Sequence, residues 1–396
     1  MKIGVPKESL PGEQRVALTP ANVVAIKKIS PKIEILFEKE AGLLAGYPDN
    51  EYEAAGATLT DRATVYSQSQ LLLQVQTPGY AHANADEDLA QLTEGQTLIG
   101  MMDPLANPAF AQQLAQQKIT GLALELIPRI TRAQAMDVLS SMGMLAGYKA
   151  VLLAANASPR MFPMNMTAAG TLNAARVLVM GAGVAGLQAC ATAKRLGAVV
   201  EAYDVREAAR EQIISVGAKP VELNIDTSAA EGQGGYAQEQ SDEFLAQQRA
   251  AMQEVVASMD VVITTAAIPG AKSPILVTED MVKAMKPGSV IVDLAAERGG
   301  NCELTQQGNT IVAHDVTIIG PENVPSTLPY HASQMFGKNM ENLLKLLLTE
   351  EGELQLDFED EIVRETVVAH EGQVVNTRLR ERLGLASQDD NHEKEA

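Results

Sequence analysis

Six residues, Gly181-Ala182-Gly183-Val184-Ala185-Gly186, carry the sharpest chemical signal in the chain. They follow the apolar run 176–180, which reads as a strand, and they open a helix-like run over 184–196 that closes at Gly197. Each glycine has a task in such a turn. Gly181 makes the tight turn, Gly183 lets backbone N–H groups approach a pyrophosphate, and Gly186 lets the helix pack closely on the strand. The phosphates then sit at the positive end of the helix. The next strand-like run ends at Asp204, 18 residues after Gly186. An acidic residue there accepts hydrogen bonds from a ribose 2′-hydroxyl and repels a 2′-phosphate, so the pattern points to NAD(H) over NADP(H). Val205 and Arg206 extend this edge, where Arg206 either binds an adenosine phosphate or flanks the adenine.

Two more segments fall at strand ends, where ligands bind in open α/β sheets. Residues 264–270 follow a strand-like run and contain Ala267. Residues 291–295 end another such run, and they are either a second lining segment or an ordinary strand-to-helix turn. The two cysteines, Cys190 and Cys302, form neither a disulfide framework nor a zinc pattern, so no metal site and a reducing compartment are expected. The net charge of -19 opposes binding to nucleic acid or to an anionic lipid surface.

The elements that must position these residues alternate. Residues 2–5, 33–37, 71–75, 97–101 and 119–126 read as strands, with segments between them long enough for helices, the pattern of a parallel sheet. Thr19-Pro20 reads as a cap with proline at the first helical position. One long helix is expected from Arg132 to about Ala155, with Met136, Leu139, Met142 and Leu145 on a buried face, and such a helix could join two domains. A second alternating region has strands at 176–180, 199–203, 261–265 and 290–293, and a helix capped by Thr278 with Glu279 and Asp280 in its first turn. Residues 222–240 form a polar loop, and 331–348 form a helix. No signal pattern opens the chain, and no stretch is read as reaching the ~18 apolar residues of a membrane span.

The run KIGVPKE and then Gly12-Glu13-Gln14-Arg15-Val16-Ala17-Leu18-Thr19-Pro20 resembles the N-terminus shared by alanine dehydrogenases and the NAD-binding subunits of transhydrogenases, and the likeness extends to about residue 380. Two features resemble the transhydrogenase branch. The segment from Pro128 to Ser141 is similar to the Arg-Gln-Asp loop that holds the nicotinamide end in those subunits. The resemblance implies that Arg129, Gln134, Asp137 and Ser140 contact the nicotinamide and its ribose, with Ala135 and Met136 among the contacts. Gly234-Gly235-Tyr236-Ala237 resembles the tip of a mobile loop that closes over the nucleotide, with Gly235 and Tyr236 as contacts. Val184, Gln248 and Ala267 fall where further contacts are expected, Ala267 through its backbone. By residue type alone, Arg129, Gln134 and Asp137 suit helix-start capping and surface solvation equally well.

The resemblance implies an α/β fold of two Rossmann-like, doubly wound parallel-sheet domains with the nucleotide in the cleft between them. Residues 1–139 with 326–385 would form a discontinuous N-terminal domain, 140–325 the NAD(H)-binding domain, and 386–396 a flexible tail. It also implies a Re/Si-specific, proton-translocating NAD(P)+ transhydrogenase. The chain would be a homodimer held at the cytoplasmic side of the inner (plasma) membrane, without inserting, by a membrane subunit and an NADP(H)-binding domain of a beta subunit. Hydride then passes from C4 of NADH to C4 of NADP+, and a site that orients two rings needs no general base.

The alternative is an NAD-dependent alanine dehydrogenase, which must also move a proton and needs a positioned acid or base. In that branch a lysine at one strand end and a histidine one strand later serve, and here those positions are Gln76 and Asp103. Arg15, which would hold a substrate carboxylate, is retained, and its other reading is a structural ion pair. A third hypothesis is an NAD-binding sensor without turnover, which need not present the nicotinamide through an Arg-Gln-Asp loop.

Overall fold

The computed structural model describes residues 1–80, 83–223, 241–268 and 270–385. Two compact α/β units emerge, Met1–Met142 together with the chain from Ser326 on, and Gly143–Pro325. The first unit contains β1 (Lys2–Val5), β2 (Glu34–Glu38), β3 (Thr58–Thr60), β4 (Leu71–Gln76), β5 (Thr97–Met101) and β6 (Thr120–Ala123). The second contains β7 (Asn165–Thr167), β8 (Gly170–Leu172), β9 (Arg176–Met180), β10 (Val199–Tyr203), β11 (Lys219–Pro220), β12 (Val261–Thr264), β13 (Val290–Asp293), β14 (Thr310–Ala313) and β15 (Val316–Ile319). Strands β16 (Val367–His370) and β17 (Gln373–Val374) return to the first.

Each sheet has the same plan. The first runs β17-β16-β6-β5-β4-β1-β2-β3 and the second β11-β10-β9-β12-β13-β15-β14. Six strands of each are parallel and ordered 3-2-1-4-5-6 by position along the chain, and an antiparallel strand closes the edge, β16 on β6 and β14 on β15. This is the doubly wound α/β fold expected. The winding reverses between β1 and β4 in one sheet and between β9 and β12 in the other, the places where such sheets open a crevice. Central strands are buried on both faces, as β4 is along its whole length, and so read as continuous apolar runs.

Three expectations need correction. The long helix does not begin at Arg132: Thr131–Met136 is a 3-10 helix, and the α-helix Val138–Ala157 starts only after Asp137 leaves helical geometry with ψ 96°. The strand read over 119–126 ends at Ala123, and Leu124–Leu126 turns into a 3-10 helix. The helix Val138–Ala157 is long and apolar enough to cross a membrane by length and composition, contrary to the sequence reading. Ser140, Ser141, Gly143 and Gly147 interrupt its apolar run without adding charge, and Lys149 is its one charged residue. Ala150, Val151 and Ala154 of this helix are fully buried in the core of the second unit with Val177 and Val179 of β9.

The later helices follow their sequence signals. Thr278 caps Glu279–Ala284 by accepting from Met281 N–H. Pro329–Leu347 returns to the first unit and packs on Pro20–Ile29, where Asn22 Nδ2 donates to Glu341 Oε2 at 3.1 Å.

Candidate nucleotide site

The glycine turn has the geometry its sequence asks for. Gly181 adopts φ +99°, and its N–H donates to Tyr203 O at 2.8 Å across to β10. A Cβ on Gly186 would lie 1.8 Å from Gly181 O, so the helix Val184–Arg195 can begin directly over the turn because that residue has no side chain. A Cβ on Gly183 would meet no heavy atom within 4 Å, which leaves open space above this residue. No side chain caps the helix, and Val184 in its first turn is exposed. Uncapped N–H groups at a helix start, beside open space, suit an anion such as a pyrophosphate.

Asp204 follows β10 at the edge of this turn. Its Oδ2 accepts from Ala182 N–H at 2.7 Å, and its Oδ1 accepts from Arg206 N–H at 2.9 Å. The Arg206 guanidinium closes a fork on the same carboxylate, Nε to Oδ1 and Nη2 to Oδ2 at 2.8 Å each. Arg206 is therefore engaged with Asp204, an arrangement that opposes its use as an adenosine-phosphate ligand. Val205, between them, is half-buried. Next to the turn, Thr265 Oγ1 donates to Gly181 O at 3.0 Å, and Ala267 two residues on is exposed. Gln248, on the helix Asp242–Ala257, is buried against Tyr203, and its Oε1 has no hydrogen-bond partner among the described residues. Gly235 and Tyr236 lie outside the described residues.

The Arg-Gln-Asp segment lies in the first unit. Arg129, Gln134 and Ala135 are exposed, and Met136 is buried. The 3-10 turn carrying Gln134 is tied down on both sides. The Arg132 guanidinium pairs with both Asp360 oxygens, and Ala135 O accepts from Asn339 Nδ2 at 2.9 Å and Asn342 Nδ2 at 3.0 Å. Asp137 Oδ1 accepts from Ser140 N–H at 2.9 Å, and Ser140 Oγ donates to Oδ2, so this pair caps the helix Val138–Ala157. In this structure Asp137 and Ser140 do the capping work that their residue types alone allowed.

At the reversal between β1 and β4, the first sheet is closed by its own side chains. Arg15 and Glu13 are both buried and joined by a two-pronged ion pair, Nε to Oε1 at 2.7 Å and Nη2 to Oε2 at 2.6 Å. Burial works against the Arg15 charge, and the Glu13 carboxylate more than restores it. This is the structural ion pair that was the second reading of Arg15. Glu8 accepts from Val75 N–H at 2.7 Å and Gln76 N–H at 3.0 Å, and burial, with Glu13 beside it, pushes its carboxyl up to about 8. Glu125 accepts from Met102 and Asp103 N–H groups and from the Tyr80 hydroxyl, and burial lifts it to about 7. Gln76 is buried, and Asp103 takes a left-handed backbone with φ +49°. Neither side chain supplies the lysine or histidine that amine oxidation would use.

Sequence similarity agrees with this geometry. Residues 4–146 match the profile of the alanine dehydrogenase/PNT N-terminal domain, and residues 150–377 match that of the corresponding C-terminal domain. The chain belongs to the alanine dehydrogenase/PNT family. Within that family it is 46% identical over 382 residues to the NAD(P) transhydrogenase subunit alpha chain of Rhodospirillum rubrum, covering 96% of this chain and 99% of that one. The crystal structure of a transhydrogenase from Sinorhizobium meliloti superposes with TM-score 0.83 at 42% identity, over 95% of this chain and 100% of that chain. The alanine dehydrogenase of Bacillus subtilis is 30% identical over 338 residues, 83% of this chain and 81% of that one. The family's transhydrogenase branch is thus nearer than its alanine dehydrogenase branch.

Sequence reasoning overlooked the residues that hold the site's loops in place. Arg132 and Asp360 are 228 positions apart, and Asn339 and Ala135 are 204 apart. No local pattern announces pairs so distant, although Asn301 beside the Gly299-Gly300 turn stood in plain view.

Proposed function

We propose that this chain is the NAD(H)-binding component of a proton-translocating NAD(P) transhydrogenase. The observation that carries the reading is the open, uncapped glycine turn beside Asp204, in a chain alike to a transhydrogenase alpha subunit along nearly its whole length. NADH brings the hydride, which passes with its electron pair to NADP+ on a partner domain and leaves NAD+ behind. The residues of this chain bind and orient. The first-turn N–H groups after Gly183 take the pyrophosphate, and Asp204 faces the adenosine ribose and disfavours a 2′-phosphate. Gln134 on its anchored turn, with Arg129, Asp137 and Ser140, holds the nicotinamide end, and Gly235 and Tyr236 belong to the closing loop. Exclusion of water and fixed ring geometry account for the rate, since no proton moves at the reacting carbons.

The finer features belong to the same proposal: Re/Si stereospecificity, a homodimer, and peripheral attachment to the membrane through partner subunits. The β7–β8 hairpin supports the dimer. It is exposed along both strands and carries Met164, Met166 and Leu172 outward, an apolar surface of the kind that marks an interface.

The deciding experiment mixes the purified chain and NADH with an NADP+-loaded transhydrogenase partner domain, while the chain alone receives NAD+ and L-alanine. Reduction of NADP+ without alanine oxidation is the expected result. Alanine turnover by the chain alone would overturn the reading, and NADH binding without transfer to any partner would favour a sensor.

A further inference from the structure

The loop after β12 is held by a side chain on a different loop. Asn301 is fully buried, and its amide uses every polar atom. Its Nδ2 donates to Ala266 O and to Pro274 O at 2.8 Å each, and its Oδ1 accepts from Ala266 N–H at 3.0 Å. The amide thus pairs with both main-chain groups of Ala266, as a neighbouring strand would, and ties down Pro274 as well.

Asn301 is itself fixed by Asp293 at the end of β13. The N–H groups of Asn301 and Cys302 donate to Asp293 Oδ2 at 2.7 and 2.9 Å, and the same carboxylate accepts from Thr264 Oγ1, Ala295 N–H and Thr305 Oγ1. The turn that delivers Asn301 is built from Gly299 and Gly300, at φ +90° and +78°, and a Cβ on Gly300 would stand 2.9 Å from Asp293 Oδ2. On the other side, Thr265 Oγ1 reaches Gly181 O at 3.0 Å. An unbroken series therefore runs from Asp293 through Asn301, Ala266 and Thr265 to the first glycine of the phosphate turn. Asp293 is a structural hub rather than a lining residue.

We propose that Asn301 is a positioning residue for NAD(H) binding, fixing the main chain of Ala266 and Ala267 so that the nucleotide meets an edge already in place. The inference rests on the nucleotide reading given above. A loop whose N–H and C=O groups are paired before the ligand arrives need not be ordered by it, and that ordering cost is spared from the affinity.

The test measures NADH dissociation constants well below the melting midpoint, for the wild-type chain, Asn301→Asp and Thr265→Val. Asn301→Asp keeps the shape but loses both donors and sets a carboxylate against Ala266 O. It is expected to weaken NADH binding by about tenfold or more. In the assay with the partner domain, KM for NADH rises while kcat at saturating NADH stays within about twofold, the pattern of lost uniform binding. Thr265→Val shifts affinity in the same direction by less. A lowered melting midpoint with unchanged NADH affinity would overturn the proposal, because a purely structural amide would act in that way. If Asn301→Asp fails to fold, Thr265→Val decides, and unchanged affinity in that variant counts against the idea. A wild-type chain that does not bind NADH removes the nucleotide reading and this inference together, whereas equal binding by the wild-type chain and both variants removes this inference alone.

Discussion

Gly183 and Gly186 stand three residues apart and answer to different constraints. At Gly183 a methyl group would meet nothing within 4 Å and the backbone φ is -74°, so Gly183→Ala is expected to leave the melting midpoint of the ligand-free chain unchanged. It is expected to weaken NADH binding by about tenfold or more, since the methyl occupies the approach of the pyrophosphate. At Gly186 the methyl would lie 1.8 Å from Gly181 O, and Gly186→Ala is expected to cost about 2–3 kcal/mol of stability before any ligand is added. Thermal melts with and without NADH separate the two, and a stability loss of equal size in both variants would contradict the argument.

Among the elements, the junction at Asp137 is the most informative. Its carboxylate caps the helix Val138–Ala157, and asparagine is about as good a cap. Asp137→Asn is therefore expected to keep the stability of the chain, while Asp137→Ala costs about 1 kcal/mol. If the carboxylate also serves the nicotinamide end, Asp137→Asn slows hydride transfer although the cap survives; unimpaired transfer would reduce the residue to a cap. The junction was not legible in advance because Thr131 to Met136 carries the same apolar spacing in a 3-10 turn as in an α-helix, and the difference is imposed by Asn339, Asn342 and Asp360 from far along the chain. The central strands were legible, since β4, β9, β12 and β13 are unbroken apolar runs. The edges were not. Exposed β3 and β14 and the short pair β16–β17 have too few buried positions to print a period, and after residue 325 only the helix showed itself. The glycine turn was legible because its steric demands are local, down to the left-handed φ of Gly181.

The whole molecule repeats one sheet plan twice and uses the two reversals differently. Between β9 and β12 lies the glycine turn; between β1 and β4 the chain closes the position with Glu8, Glu13 and Arg15. The Glu8 carboxyl is raised from 4.5 to about 8 in the fold by burial, so it favours the folded state in its neutral form. Its contribution to stability is complete below pH 4.5 and is lost as pH rises through about 8. Stability measured by urea unfolding is expected to fall across that interval in the wild-type chain and to fall less in Glu8→Gln, which loses one acceptor for the Val75 or Gln76 N–H and so starts lower by about 1 kcal/mol. Identical slopes would show that Glu8 does not titrate in this way.

The same buried acid makes unfolding a chemical reaction with the solvent. At pH 7 the Glu8 carboxyl is mostly protonated inside the fold and would be ionised in the open chain, so each molecule that unfolds hands on the order of one proton to the buffer. The heat absorbed on melting then depends on what catches that proton. It will read smaller in Tris, whose protonation gives off heat, than in phosphate, whose protonation gives off little.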